Sequence, residues 1–400
     1  MYRFAVWLIF AMALIGHGGL HIAIYNRVNC LGWRRKTIKR ITKFFLFTTL
    51  AIPLAVFVLQ FDSIVDVVFH DGAWSQFGPV TLAYGSVCLA AWGVFGVPWL
   101  LWRPIFRLEW VDAPRKVKVV DVSRVIDHPL PLTTKARWES RLPLNQIFDL
   151  AIEEVELPVV GLPAELDGYR IAHLSDIHLT GEIHASYVRY AVEQATRARP
   201  DLIALTGDII DKQMCIDWLV DIFSPAEAID GCFFILGNHD TRVVDSWETR
   251  AAMDRAGWID LGSQTTRRDI RGVPCHVIGN EYPWFERPEL GPCDARFRLL
   301  LSHSPDQFTW ARRHGIELML AGHTHGGQGR LPLAGPILSP SYHGSRYASG
   351  DFYRAPTTMH VTRGLGGVHL LRINCRPELS ILTLRRVARQ GDQRGALRTV

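Results

Sequence analysis

The sequence predicts an α/β (α+β) domain that follows an N-terminal transmembrane helical region. Short apolar segments that are typical of buried strands alternate with amphipathic helical segments between residues 169 and 256, and more strand-like segments follow. The first 102 residues contain three long runs without a charged side chain. A chain of 400 residues is long enough to form both regions.

The three uncharged runs are predicted to be transmembrane helices, because an apolar helix of about 20 residues crosses a hydrocarbon core of about 30 Å. The runs are 4–25, 44–61 and 79–102. A cleaved signal peptide is the alternative for the first run. The length of that run and the lack of a small-x-small cleavage motif favour a retained helix. We expect residues 1–103 to form the membrane region.

The charges of the loops predict an orientation in the membrane. The loop after the first run is basic, with Arg27, Arg34, Arg35, Lys36, Lys39, Arg40 and Lys43. The loop after the second run is acidic, with Asp62, Asp66 and Asp71. Basic residues follow the third run: Arg103, Arg107, Arg115, Lys116 and Lys118. The positive-inside rule therefore predicts a multi-pass membrane protein whose C-terminal domain lies on the cytoplasmic side.

Composition argues against two other classes of protein. The formal net charge is +5, but many of the basic residues lie beside apolar runs, which indicates a membrane surface. The soluble part has no basic stripe with interleaved aromatic residues, so we expect no nucleic-acid partner. Seven scattered cysteines without a CxxC pair do not form a disulfide framework. His17 and His21 in the first run fit either a haem or metal site or contacts with neighbouring helices, and the second interpretation is favoured.

Residues 104–143 are predicted to be a juxtamembrane linker, 144–386 the folded domain and 387–400 a basic flexible tail. The predicted strands are 147–152, 155–160, 169–174, 202–205, 232–236, 265–270, 275–278, 298–301, 316–320, 357–361, 369–373 and 379–384. The predicted helices are 185–199, 213–229, 246–256 and 305–314.

A polar cluster follows each of five buried strands. The clusters carry Asp176, His178, Asp208, Asn238, His303, His323 and His325 as potential ligands. Because ligand sites of open α/β sheets lie at the carboxyl ends of strands, these side chains are expected to converge. Any one cluster also fits a turn or a helix cap, but five in succession indicate a metal centre. The set suits two divalent ions that share one carboxylate, with Mn, Fe or Zn as the metals.

These motifs resemble those of the calcineurin-like metallophosphoesterase superfamily, over about residues 169–384. The matching motifs are Asp176-Ile177-His178, Gly207-Asp208, Gly237-Asn238-His239-Asp240, His303 and Gly322-His323-Thr324-His325. The stretches 322–328, 330–332, 362–366 and 374–378 resemble a membrane-linked branch with phosphodiesterases and UDP-2,3-diacylglucosamine hydrolase-like enzymes. The resemblance implies a four-layer αββα sandwich with a dinuclear site at its rim.

The resemblance also implies roles for individual residues. Asp176, His178, Asp208 and His325 would hold the first metal ion, and Asp208, Asn238, His303 and His323 the second, so that Asp208 bridges. His239 would contact the scissile phosphate or protonate the leaving oxygen, with Asp240 orienting its ring. The role of Glu281 is open. Arg330, Arg346 and Arg363 are candidates for phosphate contacts, and a structural role is an equal alternative for each.

The sequence thus favours a membrane-anchored phosphoesterase in which a hydroxide activated by two metals attacks a phosphodiester or pyrophosphate bond. The predicted helices and the basic residues beside them favour a lipid-linked substrate. The same chemistry on a soluble nucleotide is one alternative. A non-catalytic membrane scaffold or sensor is another, and it predicts missing metal ligands, whereas none is missing. Substrate specificity is expected to depend on the loops 281–294 and 330–351.

Overall fold

The computed structural model describes residues 2–102, 108–292, 294–332, 334–367 and 369–387. It divides into two compact units, which we call the helical unit and the sandwich unit. The helical unit comprises Met1–Leu108 and Pro340–Arg346, and the sandwich unit Glu109–Ser339 and Tyr347–Val400. Arg103, Arg107, Cys293 and nearly all of the predicted basic tail lie outside the described residues.

The helical unit contains the three predicted apolar helices. Its helices are α1 (Tyr2–Val28), α2 (Arg35–Leu59), α3 (Phe61–Phe69), α4 (Pro79–Ala91) and α5 (Val97–Leu101). Three stretches are long and apolar enough to cross a membrane: Tyr2–Val28, Arg35–Leu59 and Pro79–Leu101. The second stretch begins at Arg35 rather than at the predicted Phe44, so several basic residues of the first loop belong to the first turns of α2.

Contacts inside the helical unit bear on the alternatives for His17 and His21 and for Arg346. Nε2 of His17 lies 3.0 Å from the carbonyl oxygen of Thr49, and Nε2 of His21 lies 3.1 Å from Oγ1 of Thr48. Both histidines thus contact the neighbouring helix α2, as favoured. The Arg346 guanidinium lies 3.8 Å from the centroid of the Trp102 ring, a cation–π distance that gives Arg346 a structural contact.

The sandwich unit is built from fifteen strands and six helices among the described residues. The strands are β1 (Arg115–Asp121), β2 (Asp149–Val160), β3 (Arg170–Leu174), β4 (Leu202–Thr206), β5 (Cys232–Ile235), β6 (Ile259–Asp260), β7 (Thr265–Ile270), β8 (Val273–Asn280), β9 (Phe297–Ser302), β10 (Leu318–Ala321), β11 (Arg330–Leu331), β12 (Gly335–Pro336), β13 (Gly350–Arg354), β14 (Thr357–Val361) and β15 (Glu378–Val387). The helices are α6 (Val122–Val125), α7 (Thr134–Ser140), α8 (Ser186–Arg197), α9 (Leu219–Phe223), α10 (Ser246–Arg255) and α11 (Phe308–Arg313).

Two large sheets form the sandwich, with helices on their outer faces. The seven-stranded sheet has the order β1-β2-β15-β3-β4-β5-β6, and the six-stranded sheet the order β13-β14-β10-β9-β8-β7. Strands β3, β4 and β5 are parallel, and so are β8, β9, β10 and β14. One apolar core lies between the sheets, and one lies between each sheet and its helices. The predicted α/β sandwich is confirmed.

Strand β4 shows why the central strands are continuously apolar. Ile203 and Leu205 belong to the core shared with helix α8, whereas Leu202 and Ala204 belong to the core between the two sheets. Successive side chains of a strand point to opposite faces, so a strand that is covered on both faces needs apolar residues at every position. The same demand explains why the sequence of this strand is easy to recognise.

The predicted boundaries need several corrections. The expected linker 104–143 contains β1, which pairs antiparallel with β2 from Arg115 opposite Val155 to Asp121 opposite Asp149. The expected strands 147–152 and 155–160 are the single strand β2. The expected helix 213–229 is a 3₁₀ turn, Gln213–Trp218, followed by the short α9. The expected strand 369–373 forms only isolated bridges at Ile373.

Candidate metal centre

The carboxyl ends of β3, β4, β5, β9 and β10 bring the seven predicted ligands together. The ligand atoms of Asp176, His178, Asp208 and His325 all lie within 4.8 Å of one another. Those of Asp208, His303 and His323 do so as well, so Asp208 belongs to both groups. Oδ1 of Asn238 lies 3.0 Å from Nε2 of His303, which places the amide in the second group.

The loops that carry these ligands are bonded to one another through their backbones. The Asp176 amide donates to the Gly207 carbonyl over 3.0 Å, and the His178 amide donates to the Asp208 carbonyl over 2.9 Å. Thirteen described residues other than glycine have a positive φ, and five of them are predicted ligands: Asp176, His178, Asp208, His323 and His325. Such backbone conformations are unfavourable for most side chains and cluster at functional sites.

Two buried polar atoms at the centre have no hydrogen-bond partner among the described residues. Such atoms show whether the site has donors left for metal ions. Oδ2 of Asp208 and Nε2 of His323 are buried and unpaired in this sense. Nε2 of His178 faces Nε2 of His325 at 3.1 Å. Two imidazole nitrogens that face each other leave at least one lone pair unsatisfied unless a proton or a cation lies nearby. The donor set therefore fits divalent cations.

The protonation states of the site also suit metal binding. Burial opposes the charge of Asp208, but the neighbouring His303 and His239 hold its pKa well below its usual range. Burial lowers the pKa of His323 and of His325 well below their ordinary value, so both imidazoles are neutral. Burial also disfavours the charged His303, but Asp208 outweighs it and raises the pKa of His303 to about 9. Metal binding would displace that proton.

Asp211, which was not predicted, holds two imidazoles of the site. Its Oδ2 lies 2.7 Å from Nδ1 of His178, and its Oδ1 lies 2.5 Å from Nδ1 of His239. A carboxylate on the second nitrogen of a ligating histidine fixes the tautomer and the orientation of the ring. Asp211 therefore turns Nε2 of His178 toward the ligand cluster. The sequence feature that could have indicated this role is a second acidic residue three positions after Asp208 in the same loop.

Asp240 does not orient the His239 ring, so this prediction is corrected. Its carboxylate accepts hydrogen bonds from the backbone amides of Ile209 (3.0 Å), Ile210 (2.9 Å) and Gly237 (2.7 Å). Asp240 is fully buried, and burial raises its pKa to about 7. Asp240 therefore connects the loops after β4 and β5. The His239 ring is oriented by Asp211 instead.

Arg372 supports the loop that carries His325. The residue is fully buried, and its Nη1 donates to the carbonyl oxygens of His325 (3.2 Å) and Arg363 (2.8 Å). Its Nη2 donates to the carbonyl oxygen of Gly366 over 2.5 Å. One guanidinium thus joins three loop carbonyls beneath the candidate metal centre. No sequence pattern indicates this role, because the partners of Arg372 are backbone atoms of distant loops.

The Trp284 ring packs against two ligands of the second group. Its centroid lies 4.9 Å from that of His323 and 5.3 Å from that of His303. The residue belongs to the loop 281–294, which was expected to influence specificity. The ring restricts the orientation of both imidazoles, so this loop contacts the site directly.

Two of the candidate phosphate-binding arginines have other partners. Arg363 pairs with Glu153 at 2.5 Å and with Glu378 at 3.1 Å. Arg330 donates from Nε to the Gly326 carbonyl over 2.9 Å. Charged hydrogen bonds of this kind are strong when they are buried, so the structural alternative is favoured for both residues.

Glu281 has a structural position. Its side chain is buried, accepts a hydrogen bond from the Leu236 amide, and pairs with Nη2 of Arg250 at 2.7 Å. Burial raises the pKa of Glu281 although Arg250 opposes the shift. The residue fixes the end of β5, immediately before the loop of Asn238 and His239.

Comparisons with known proteins identify the family. Residues 169–327 match the family described as calcineurin-like phosphoesterase. The uncharacterized metallophosphoesterase YkuE of Bacillus subtilis is 32% identical over 236 residues, which are 56% of this chain and 82% of that protein. The phosphodiesterase YaeI of Escherichia coli is 32% identical over 223 residues, 54% of this chain and 82% of that protein. The chain therefore belongs to the calcineurin-like phosphoesterase family.

A third relative carries a more specific name. The UDP-2,3-diacylglucosamine pyrophosphatase LpxG of Chlamydia muridarum is 24% identical over 283 residues, which are 55% of this chain and 84% of that protein. Family membership makes this protein a metal-dependent hydrolase of phosphoester bonds. The sequence-based assignment to this family is confirmed.

Proposed function

We propose that this protein is a membrane-anchored phosphoesterase that hydrolyses a phosphodiester or pyrophosphate bond of a lipid-linked substrate on the cytoplasmic side. One observation carries the proposal: two groups of ligand atoms share Asp208, and Asp208 Oδ2 and His323 Nε2 are buried without a hydrogen-bond partner in the described part of the chain. Such an arrangement suits two cations better than it suits a core of hydrogen bonds.

In this proposal each group holds one divalent ion, with Mn, Fe or Zn as the candidates. The first group is Asp176, His178, Asp208 and His325, and the second is Asp208, Asn238, His303 and His323. Divalent ions held by these residues would supply positive charge opposite the phosphoester and would lower the pKa of nearby water toward neutrality.

His239 supplies the proton for the leaving oxygen. Asp211 holds its Nδ1, so Nε2 faces the metal centre and lies 4.0 Å from Oδ2 of Asp208. Burial lowers the pKa of His239 to about 4, although Asp208 and Asp211 oppose this shift. A bound phosphoester brings a further negative charge to Nε2 and favours the imidazolium. Asp211 stabilises that cation and thereby assists the proton transfer.

Three exposed apolar side chains in the segments that follow Asp211 and His239 along the chain support a substrate with acyl chains. Met214, Val244 and Trp247 have relative exposures of 64%, 90% and 70%. Oε1 of Gln213 accepts a hydrogen bond from the Val244 amide over 2.8 Å, which joins the two segments that carry them. Gln213 itself lies two residues after Asp211. Large apolar groups at the rim of a polar site mark an interaction surface.

The variant Asp208→Asn tests the hydrolytic reaction. We expect it to abolish hydrolysis of bis(p-nitrophenyl) phosphate by the full chain in detergent, assayed with added Mn, Fe or Zn. The amide has one carboxylate oxygen fewer and no negative charge, so it does not bridge two cations. Asp254→Asn, an exposed position on α10, is the matched control. Full activity of the Asp208 variant would contradict the proposal.

Substrate preference tests the lipid-linked class. We expect kcat/KM for UDP-diacylglucosamine to exceed that for cyclic nucleotides, and Trp247→Ser to lower the lipid value by about 10-fold, the effect of losing one large apolar contact. Ile229→Ser is the control, because Ile229 is 82% exposed and precedes β5, at the opposite end from the metal centre. A preference for cyclic nucleotides together with an inert Trp247→Ser would favour the soluble-nucleotide alternative.

A further inference from the structure

Arg242 contacts both the carboxylate that orients the proposed general acid and the imidazole of that acid. It ends the 3₁₀ turn Asp240–Arg242, which follows His239 directly. Its Nη1 pairs with Oδ1 of Asp211, and its Nη2 lies 2.5 Å from Nε2 of His239. The side chain of Arg242 is 18% exposed, so it contacts both solvent and the site.

The contact with Nε2 of His239 is informative because the reaction needs this atom. A general acid must come within about 3 Å of the leaving oxygen. A phosphoester bound in that position places its phosphoryl oxygens where Nη2 of Arg242 now meets the imidazole. A guanidinium has only donors, so a negatively charged oxygen is a better partner for it than an imidazole nitrogen. The pair with Asp211 meanwhile holds the guanidinium in place.

We propose that Arg242 binds a non-bridging oxygen of the phosphoryl group that is cleaved, and that this site accepts phosphate monoanions and dianions. The inference rests on the proposed function for the position of the substrate. Arg242 differs from Arg363 and Arg330, for which the structural alternative is favoured. One of its nitrogens contacts the His239 ring, whereas the donors cited for the other two go to carboxylate and carbonyl oxygens. A negative charge that grows on the phosphoryl oxygens during hydrolysis strengthens the contact.

Calorimetry with inorganic phosphate tests the proposal without turnover. The full chain in detergent is loaded with Mn²⁺ and titrated with phosphate. We expect Arg242→Ala to weaken phosphate binding by about 10- to 100-fold, the range for a charged hydrogen bond, and Arg242→Lys to weaken it less. Arg189→Ala is the matched control, since Arg189 pairs with Asp221 on the surface. This measurement stands even if the wild-type protein hydrolyses none of the offered substrates.

Leaving-group dependence separates phosphate binding from a positioning role. If Arg242 binds the phosphoryl group, kcat/KM of Arg242→Ala falls by the same factor for p-nitrophenyl and for alkyl phosphodiesters. If it only positions His239 and Asp211, the loss is greater for the alkyl substrates, whose leaving oxygens need the proton more. Unchanged phosphate affinity in both Arg242 variants, each with a wild-type circular dichroism spectrum, would overturn the proposal.

Discussion

At the scale of a single residue, Asp211 links a predicted metal ligand to the proposed general acid. One of its oxygens lies 2.7 Å from Nδ1 of His178, a predicted metal ligand, and the other lies 2.5 Å from Nδ1 of His239, the proposed general acid. Burial opposes its charge, but hydrogen bonds from the two histidines hold the pKa of Asp211 far below its usual range. The same carboxylate thus positions both a predicted metal ligand and the proposed general acid.

We predict that Asp211→Asn lowers both Mn²⁺ affinity and kcat by about 10- to 100-fold, as losses of such outer partners of a ligand typically do. The amide keeps the shape of the side chain, but only one of its two groups accepts a hydrogen bond, so one imidazole loses its partner. Metal titration of the metal-free protein gives the affinity, and turnover of bis(p-nitrophenyl) phosphate gives kcat. A variant that loses neither would show that Asp211 has no positioning role.

Sequence patterns predicted the ligand set but missed the residues that orient it. The seven predicted ligands follow buried strands, and such strands are recognisable from their apolar runs. Asp211 lies further along its loop, where strand geometry no longer indicates a direction. The resemblance implied that Asp240 orients His239, but its carboxylate accepts hydrogen bonds from the backbone amides of Ile209 and Ile210. Side-chain direction in loops depends on turns that the sequence pattern does not reveal.

At the scale of elements, the site depends on how closely two strand ends approach. A Cβ atom at Gly322, after β10, would lie 1.9 Å from Oγ of Ser175 and 2.4 Å from Oδ2 of Asp176, after β3. The strands belong to different sheets, so the glycine lets the edges of both sheets meet. Glycine permits a close approach that any side chain prevents.

We predict that Gly322→Ala displaces Asp176 and removes metal-dependent activity at Mn²⁺ concentrations that saturate the wild type. The added methyl group has no space, and overpacking of this kind costs about 1–3 kcal/mol even where neighbours shift. Gly329→Ala is the control, because a Cβ atom there meets no atom within 4 Å. Because the loss of activity is attributed to weaker metal binding, the Mn²⁺ affinity of both variants is measured by calorimetry. Equal affinities of the two variants would contradict the prediction.

Strand β1 shows which elements a sequence pattern does not reveal. It lies at the edge of the seven-stranded sheet, and five of its seven residues, Arg115–Val119, are exposed. An edge strand with little burial has no need for an apolar run, and charged residues there reduce edge-to-edge pairing. The central strands, by contrast, are buried on both faces and therefore have continuous apolar runs. The α/β sandwich was therefore predictable, whereas its first strand was taken for a linker.

At the scale of the whole molecule, a buried network of ion pairs and hydrogen bonds joins the two sheets of the sandwich unit. Arg363 pairs with Glu153 on β2 and with Glu378 on β15. Oγ of Ser380 donates to Glu378 over 2.5 Å and lies 3.0 Å from Nε2 of His360, which is on β14 of the other sheet. Breaking one partner of such a network leaves a buried charge without compensation, which destabilises the fold.

The network predicts a loss of stability in acid. Burial opposes the charge of Glu378, but Arg363 and His360 lower its pKa below the ordinary 4.5. A carboxyl with a depressed folded-state pKa stabilises the fold above its unfolded-state pKa, and this stabilisation is lost as the pH falls through the folded-state value. The relevant window therefore lies below about pH 4.5, and the full contribution is present at pH 7.

We predict that Glu378→Gln lowers the free energy of unfolding by about 3 kcal/mol at pH 7, and that its difference from wild type narrows below about pH 4.5. Denaturant unfolding of the full chain in detergent, monitored by tryptophan fluorescence, gives both values. Glu156→Gln is the control, because Glu156 is 55% exposed and pairs with Arg385 at the surface. A Glu378→Gln effect that does not change with pH would contradict the assignment.

At the scale of the whole molecule, the charges at the ends of the apolar helices predict how the protein is oriented in the membrane. Arg34 lies between α1 and α2, and five further basic residues lie in the first turns of α2, whereas α3 carries Asp62 and Asp66. The positive-inside rule therefore predicts that the end with the basic cluster faces the cytoplasm. The opposite end carries Arg3, which donates to the Phe69 carbonyl oxygen, as well as the two aspartates. We predict that green fluorescent protein fused after Val400 fluoresces in a bacterial host and that alkaline phosphatase at the same position is inactive. Alkaline phosphatase inserted after Asp71 should be active, and the opposite pattern would place the metal centre outside the cytoplasm.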